Sequence, residues 1–513
     1  MSVRIPDAHP VNFSVGNPSP RSSILAGRHA IVIGSGITGL AASLVLGERG
    51  AHVTLLERDA EPPAGSAEQA FAEWERTGAP QIRHSHVFLG RLRKLLRDEY
   101  PFLLDAILAA GARELKPLDR PPPALSDIAR ESGDEDLVTI GCRRTTFEYV
   151  FRQEVLKRVA VKCIARATVS GLLASPTDPP VVAGVRYRRD GQEQVLRGHL
   201  IVDGSGRRST APVWLKAVGA RPAFEQQESS GVVYYTRFYR LRPGVSEPAP
   251  TADPLAADFN WVKYAVFPAD GRAFSITLAI PLAFQRLKVL AQAPAFDAMV
   301  KSIPALRPWI DPQCSEPIGD VDRPVQAMGG LINRVRRFVD DAGPLALRFF
   351  VLGDAAYCTN PLYGRGCSQG LLHAHFLGEV LDAYGDDWTA VARALDRRGR
   401  DELEPYYRAS ILADRDAVRR AEGRVPRRLA DRVQQRFFED GVALAMRTDP
   451  VVFRAFLRML NMFETPEHAF GRPDVVARVL WVMAQGESYK LQHRLPDPPD
   501  RDATFARCEA AVA

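Results

Sequence analysis

Three segments near the start of the chain carry the clearest hydrophobic pattern. Residues 29–33 and 51–56 are short, continuous apolar runs, and residues 37–49 between them have apolar positions at helical spacing. Continuous apolar runs are typical of strands buried on both faces of a parallel sheet. The pattern therefore predicts a strand–helix–strand unit of about 30 residues, the start of an α/β fold.

The middle of the chain has a different pattern. Residues 164–206 and 231–280 alternate in the manner of antiparallel strands, and Asp190-Gly191 and Asp270-Gly271 predict hairpin turns. Residues 348–352 predict one more buried strand. Residues 86–100, 145–159 and 366–384 predict helices, and residues 388–513 are mostly helical in pattern, with a polar, proline-rich tail.

Composition narrows the class of protein. Of the 513 residues, 46% are apolar and 25% charged, as in a globular protein. The basic residues that give the net charge of +6 alternate with acidic residues along the chain. No nucleic-acid-binding motif accompanies them. The six cysteines form no CxxC pair, so we expect no metal site and a reducing, cytoplasmic location. Residues 1–26 do not resemble a signal peptide, and no apolar run reaches the ~18 residues of a membrane span, which leaves only peripheral membrane contact open.

Residues 34–39 read Gly-Ser-Gly-Ile-Thr-Gly, between the first predicted strand and its helix. In this position a GxGxxG motif makes a tight turn, admits a pyrophosphate beside the backbone and presents a helix N-terminus to it. Glu57 ends the next strand and can accept hydrogen bonds from both ribose hydroxyls, whereas it would repel a 2′-phosphate. FAD or NAD is therefore predicted rather than NADP, with contacts from Gly34, Gly36, Ile37, Thr38, Gly39, Glu57 and Arg58.

A second glycine motif follows the strand predicted at residues 348–352. It begins Gly353-Asp354 and continues to Pro361-Leu-Tyr-Gly364-Arg-Gly366-Cys367. This segment resembles the GD motif of the FAD-dependent monooxygenase and halogenase superfamily, whose archetype is para-hydroxybenzoate hydroxylase. The resemblance implies FAD as cofactor, Asp354 on its ribityl chain, and Pro361, Gly364, Gly366 and Cys367 against the isoalloxazine ring. A flat ring needs backbone without side chains beside it, and a helix N-terminus stabilises negative charge on reduced flavin.

Two further segments fit the same superfamily. Asp203-Gly-Ser-Gly-Arg-Arg-Ser209 resembles the DG motif, which serves FAD and NAD(P)H in the hydroxylases, so the resemblance implies that Asp203 binds the cofactor. The segment also resembles the Asp-x-Ser-Gly form of halogenases and prenyl reductases. By the same resemblance Arg144, before the helix predicted at 145–159, contacts FAD, and the backbone near Val169 lies against adenine. The resemblance covers about residues 28–400 and leaves the reaction and the electron donor open.

The implied fold is an α/β, FAD-binding Rossmann-type (glutathione reductase-like) fold. We expect a flexible tail at 1–26 and a discontinuous FAD-binding domain at 27–116, 140–215 and 325–390. A β-sheet substrate domain is expected at 216–324, with an excursion at 117–139, and a helical region at 391–513. No second GxGxxG follows a strand, so electrons come from transiently bound NAD(P)H or from a partner flavin reductase.

Four functions compete. The first is a monooxygenase that hydroxylates or epoxidises a hydrophobic small molecule with O₂, through a flavin C4a-hydroperoxide in an apolar pocket. The candidates for that pocket are Tyr235, Trp261, Tyr264 and Phe267. The second is an ene-reductase of the geranylgeranyl reductase type, whose Tyr-x-Trp-x-Phe-Pro motif is partly echoed at residues 264–268. A halogenase, whose Trp-x-Trp-x-Ile-Pro motif is not evident, and a non-catalytic flavin-binding protein come last.

Residues 78–86, Gly-Ala-Pro-Gln-Ile-Arg-His-Ser-His, favour the first function. This stretch resembles a bacterial subgroup that includes epoxidases of polyether pathways, which points to secondary metabolism. Two histidines two residues apart in a loop make poor metal geometry without a third ligand. They can contact the flavin or the substrate, or hold the loop by hydrogen bonds, and His86 is the candidate for general acid–base catalysis.

Overall fold

A computed structural model describes residues 24–249, 254–424, 428–495 and 497–513. Its strands in chain order are β1 (His29–Ile33), β2 (His52–Leu56), β3 (Val87–Phe88), β4 (Arg113–Leu115), β5 (Thr139–Gly141), β6 (Val161–Ile164), β7 (Thr168–Ala174), β8 (Val182–Arg189), β9 (Gln192–Arg197), β10 (Leu200–Asp203), β11 (Phe224–Ser229), β12 (Val232–Leu241), β13 (Ala256–Asp258), β14 (Lys263–Pro268), β15 (Ala273–Pro281), β16 (Ser315–Ile318), β17 (Gln326–Met328), β18 (Ile332–Arg337), β19 (Val339–Asp340), β20 (Gly343–Pro344), β21 (Phe349–Val351) and β22 (Tyr357–Cys358).

The α-helices are α1 (Ile37–Gly47), α2 (Ala67–Glu73), α3 (Gly90–Glu99), α4 (Pro101–Ala109), α5 (Arg144–Arg158), α6 (Ala211–Ala217), α7 (Ala293–Ser302), α8 (Arg365–Tyr384), α9 (Trp388–Glu402), α10 (Glu404–Ala421), α11 (Leu429–Arg436), α12 (Ala443–Thr448), α13 (Pro450–Leu460), α14 (Pro466–Gly471), α15 (Pro473–Met483), α16 (Glu487–His493) and α17 (Arg501–Ala510). One π-helical turn, Phe437–Val442, links α11 to α12.

A five-stranded parallel sheet forms the centre of the first half of the fold. Its strand order is β21-β10-β1-β2-β6, and α1, packed between α5 and α8, covers it. The strands are almost wholly buried, as their continuous apolar sequences predict. Parallel order puts the carboxyl ends of β1, β2, β10 and β21 at one edge, where ligands of open α/β sheets bind. The predicted Rossmann-type α/β fold is confirmed.

The second large sheet is antiparallel, in the order β13-β14-β15-β12-β16, with β17 also paired to β12. One of its faces packs on α7 and on the last helix, α17, through an aromatic core that includes Phe274, Phe296, Trp309 and Phe505. The hairpin predicted at Asp190-Gly191 joins β8 to β9 with both residues at positive φ (51° and 78°), as a two-residue type I′ turn requires.

Several boundaries differ from the sequence expectation. The helix expected from residue 86 begins at Gly90, because Val87 and Phe88 pair with β5 instead. Of the expected flexible tail, residues 1–23 lie outside the described part of the chain. Leu25 is packed into the core with 1% of its surface exposed, so the ordered fold begins before residue 27.

The expected excursion at 117–139 contacts the C-terminal helices. Its residues Leu118, Leu125 and Leu137 form a small core with Phe453 and Leu457 of α13. Within the described ranges, no helix combines the length and the apolar character needed to cross a bilayer.

Candidate cofactor and substrate site

One large cavity, of about 720 Å³, runs from the carboxyl edge of the parallel sheet to the antiparallel sheet. We call the part lined by residues 33–38, 56–58, 204–208 and 354–367 the motif end, and the part lined by strands β12, β14, β15 and β17 the sheet end. The sequence-predicted residues that line the cavity are Gly34, Gly36, Ile37, Thr38, Glu57, Arg58, His86, Arg144, Val169, Phe267, Asp354, Pro361, Gly364, Gly366 and Cys367. The fold therefore brings most of the predicted site together.

The GxGxxG turn is shaped for a phosphate. A Cβ atom at Gly39 would lie 1.7 Å from the carbonyl oxygen of Gly34, so only glycine lets α1 pack this closely on the turn. Gly39 itself does not line the cavity. A Cβ at Gly36 would meet no atom within 4 Å, so open space adjoins the backbone before the N-terminus of α1. Free N–H groups at that terminus fit a pyrophosphate.

Glu57 is buried and tightly held. Its Oε2 accepts hydrogen bonds from Ser35 N (2.8 Å), Ser35 Oγ (2.7 Å) and Arg76 (3.0 Å), and its Oε1 accepts from Asp59 N at 2.9 Å. A carboxylate fixed in this way is positioned to accept further hydrogen bonds from a ribose, since each oxygen can take more than one. Sequence reasoning predicted Glu57 but not Arg76.

Arg76 is the centre of a buried ionic cluster behind the cavity wall. Its guanidinium pairs with Glu57, with Asp59 at 3.0 Å and with Glu148 of α5. Although burial opposes it, the carboxylates of Glu148 and Glu57 raise the pKa of Arg76. The cluster thus ties the segment after β2 to α5.

The other oxygen of Glu148 holds Arg144, whose Nε lies 3.2 Å away. Arg144 NH1 lies 3.4 Å from His86 Nε2 and 3.7 Å from Cys367 Sγ at the start of α8. Burial raises the pKa of the Cys367 thiol to about 11, with Arg144 opposing, so the thiol is protonated at neutral pH. Arg144 is therefore the one fixed positive charge beside both predicted ring contacts, His86 and Cys367.

His86 is an uncharged acceptor in this arrangement. Its Nδ1 lies 2.9 Å from the carbonyl oxygen of His84, which requires a proton on Nδ1 and leaves Nε2 as the acceptor toward Arg144. Burial, with the charge of Arg144, lowers the pKa of His86 to about 3. An imidazole in this state can accept a proton or a hydrogen bond but does not supply an acid at neutral pH.

The GD motif stands against the start of α1. A Cβ on Gly353, which has φ of +58°, would lie 2.5 Å from Thr38 Oγ1, so glycine is required there. The next residue, Asp354, lines the cavity, and burial raises the pKa of its carboxyl, with Arg207 opposing. A carboxyl group in this place fits the hydroxyls of a ribityl chain.

Asp203 does not lie where the resemblance to the DG motif implies. It is fully buried and does not line the cavity; its oxygens accept from Ser205 N at 2.9 Å and Ser209 Oγ at 2.6 Å. It shapes the loop that presents Gly204 and Arg207 to the cavity.

The turn at residues 360–364, which the resemblance predicts to face the flavin ring and which we call the ring-facing turn, is anchored by α10. Asn360 Nδ2 donates to Asp414 of α10 (2.7 Å), and Tyr234 OH donates to Asn360 Oδ1. Asn333 Nδ2 also donates to Asp414 at 2.7 Å. Burial raises the pKa of Asp414 to about 6, against these hydrogen bonds.

The four aromatic pocket candidates separate at the sheet end. Phe267 lines the cavity, whereas Tyr235, Trp261 and Tyr264 are packed in the core on the opposite face of the sheet. Successive side chains of a strand point to opposite faces, so Tyr234 and Thr236, rather than Tyr235, reach the cavity.

Sequence reasoning missed a set of cavity-lining residues. They are Arg76, Ser85, Arg207, Thr236, Thr277, Met328, Leu362, Tyr363, Leu460 and Asn461. The polar threonines within apolar strands were a readable signal, but which face they occupy depends on strand register. Leu460 and Asn461 come from the end of α13, which no motif marks.

Known proteins resemble this chain in sequence and in fold. Residues 29–192 match the family model described as FAD dependent oxidoreductase. Protein Rv3254 of Mycobacterium tuberculosis is 25% identical over 470 residues, 88% of this chain and 91% of that protein.

Two solved structures share the fold. The myxobacterial chondrochloren halogenase CndH has 17% identity and a TM-score of 0.57, over 85% of this chain and 97% of that one. PqsL, a probable FAD-dependent monooxygenase from Pseudomonas aeruginosa, has 16% identity and a TM-score of 0.53, over 77% and 97%. Residues 29–192 therefore match an FAD-dependent oxidoreductase domain, and the chain shares its fold with a halogenase and a probable FAD-dependent monooxygenase.

Proposed function

We propose that this enzyme is a monooxygenase that uses FAD and O₂ to hydroxylate or epoxidise a hydrophobic small molecule. One observation carries the proposal: a single cavity joins the motif end, which fits FAD, to the sheet end, whose wall includes Ala265, Phe267 and Met328. An apolar compartment beside the flavin ring excludes water from the reacting atoms.

The residues that would hold FAD follow from the geometry of the motif end. The turn at Gly36 and the N-terminus of α1 would hold the pyrophosphate, Glu57 the adenosine ribose, and Asp354 the ribityl chain. Val169 lines the cavity on β7 and would lie beside the adenine. When bound, FAD supplies the two-electron chemistry that activates O₂.

This chain's own residues would then position and protect the ring. The turn at Pro361–Gly364 is fixed through Asn360 to Asp414, and Arg144 is held by Glu148 beside Cys367. The one acceptor of neutral His86, Nε2, lies 3.4 Å from Arg144 NH1, and we propose that a donor of the ring or the substrate would replace Arg144 there.

The remaining assignments are parts of the same proposal. We assign the sheet within residues 216–324 as the substrate domain and the parallel-sheet segments as the FAD-binding domain. NAD(P)H bound transiently, or a partner flavin reductase, would supply electrons, and six unpaired cysteines favour the cytoplasm.

The test is the reaction of the reduced holoenzyme with oxygen, followed by stopped-flow absorbance. A monooxygenase is expected to give a transient band that differs from both oxidised and reduced flavin, with or without added substrate. Direct return to oxidised flavin under every condition, together with reduction of an alkene under argon, would overturn the proposal in favour of the ene-reductase.

A further inference from the structure

Four hydroxyl groups and one histidine form a connected hydrogen-bonded cluster at the sheet end of the cavity. His84 Nδ1 lies 3.0 Å from Thr236 Oγ1, which lies 2.7 Å from Thr277 Oγ1. Ser85 Oγ lies 2.6 Å from Thr277 Oγ1 and 2.6 Å from Ser275 Oγ. We call these five residues the hydroxyl cluster.

Strand pairing and the loop before β3 bring the hydroxyl cluster to the cavity wall. Thr236 of β12 and Thr277 of β15 are direct cross-strand partners, and Ser275 lies two residues from Thr277 on the same face. His84 and Ser85 arrive from the loop before β3, next to His86. Ser85, Thr236 and Thr277 line the cavity, whereas Ser275 does not.

Counting hydrogens shows what the hydroxyl cluster offers to a ligand. Its four hydroxyls have four hydrogens, and four contacts connect its five members. If His84 Nδ1 accepts, every hydroxyl hydrogen is used within the cluster. If His84 Nδ1 donates, the three contacts between hydroxyls use three of the four hydrogens, and the fourth is free on one of the four hydroxyls. In every arrangement at least two of the three hydroxyls that line the cavity keep a free lone pair, and at most one free hydrogen reaches the cavity.

Charge restricts the ligand further. Burial, with the nearby charge of Arg207, lowers the pKa of His84 to about 4, so the hydroxyl cluster is neutral at physiological pH. Free lone pairs on a neutral cluster bind a neutral donor, which an alcohol or a phenol supplies and which an ether or a hydrocarbon lacks.

We propose that Ser85, Thr236 and Thr277 bind the O–H group of a neutral alcohol or phenol, so that the substrate class is a largely apolar molecule with a free hydroxyl. The assignment of this ligand as substrate rests on the proposed function. The binding preference itself does not, because it is a property of the oxidised protein.

The experiment titrates the FAD-loaded, oxidised enzyme under argon, without an electron donor. The probes are two pairs: 2-naphthol with 2-methoxynaphthalene, and cyclododecanol with its methyl ether. Binding is read from perturbation of the flavin absorbance and from calorimetry. We expect the hydroxylated member of at least one pair to bind about tenfold more tightly than its ether.

The variant Thr236→Val,Thr277→Val tests the assignment, since valine keeps the shape and removes the hydroxyl. We expect it to bring the ratio for that pair to within about threefold. The milder Ser85→Ala serves if the double variant loses its FAD spectrum. The control is Ser315→Ala, which removes a buried hydroxyl of β16 that donates to Trp309 O and does not line the cavity; it should leave the ratio unchanged.

Two results would overturn the proposal. One is a set of titrations in which neither hydroxylated probe binds more tightly than its ether. The other is a preference that survives in the valine and alanine variants. Loss of the oxygen reaction alone would count against the proposed monooxygenase and not against the hydroxyl site, because no oxygen takes part in these titrations.

Discussion

At the motif end of the cavity, each wall is made by a short segment that follows one strand of the parallel sheet: residues 34–38, 57–58, 204–208 and 354–367. At the sheet end, the wall is made by single side chains, such as Thr236, Phe267 and Thr277, one from each of several antiparallel strands. The first arrangement is local in sequence, so motifs reveal it. The second depends on register, so neighbouring residues on one strand have unrelated roles.

The two ends of the cavity also differ in charge. The motif end and its supporting shell contain Glu57, Arg76, Arg144 and Asp354, whereas the hydroxyl cluster at the sheet end is uncharged. Charges suit the phosphates and hydroxyls of a cofactor, and a neutral wall suits a hydrophobic substrate. The side chains thus divide the cavity into a charged half, which we propose for the cofactor, and a neutral half, which we propose for the substrate.

The largest expected effect is at the motif end. Glu57→Arg should abolish FAD retention, because it removes the ribose acceptor and puts a second guanidinium against Arg76. The measurement is flavin absorbance of the purified protein after gel filtration. Glu61→Arg, at an exposed position shortly after the same strand, should stay yellow. If the Glu57→Arg protein kept its flavin absorbance, the adenosine of FAD would not be bound at this end of the cavity.

The next effect concerns the anchor of the ring-facing turn. The pKa of Asp414 is raised from 3.8 to about 6, so its ionisation costs free energy in the folded state. Its contribution to the free energy of unfolding is full below about pH 4 and falls by about 3 kcal/mol as the pH rises past 6.

The variant Asp414→Asn lacks this titration, so the difference in thermal midpoint between wild type and variant should shift against the wild type between about pH 4 and pH 8. Scanning calorimetry at both pH values measures it, and the ionisations common to both proteins cancel. A difference that does not change with pH would mean that this carboxyl titrates normally.

Asp354→Ala should weaken FAD binding by about 2 kcal/mol, roughly thirtyfold, the usual effect of losing a charged hydrogen-bonding partner. Equilibrium dialysis of FAD against apoprotein gives the dissociation constant. The exposed Asp341→Ala is the matched control. Unchanged affinity in Asp354→Ala would break the assignment of this residue to the ribityl chain.

The smallest effects compare two aromatic residues on β14. Phe267→Leu should change 2-naphthol binding several-fold with little change in FAD affinity, because Phe267 lines the cavity. Tyr264→Phe removes a hydroxyl that donates to Pro254 O (3.0 Å) in the opposite core, and should cost only about 1 kcal/mol of stability. If Tyr264→Phe altered naphthol binding as much as Phe267→Leu, the two faces of the sheet would have been assigned wrongly.

The sequence predicted the parallel sheet and the glycine turns well, for a physical reason. Gly39 and Gly353 are needed because any side chain would collide with Gly34 or Thr38, and such requirements recur at fixed spacing. The continuous apolar runs likewise identify buried strands without knowledge of their partners. Asp203 is an exception. The loop that it begins lines the cavity, but the oxygens of its own carboxylate accept hydrogen bonds from within that loop.

The sequence by itself thus determined the α/β class, the FAD motifs and Glu57, since these depend on contacts within a few residues or on one recurring turn. Only the tertiary structure decided that Arg76 braces Glu57, that Asp414 reaches the ring-facing turn from 54 residues beyond Asn360, and that Thr236 rather than Tyr235 lines the cavity. Each of these depends on which distant elements pack together, and hydrophobic periodicity gives a residue's face without naming what lies opposite.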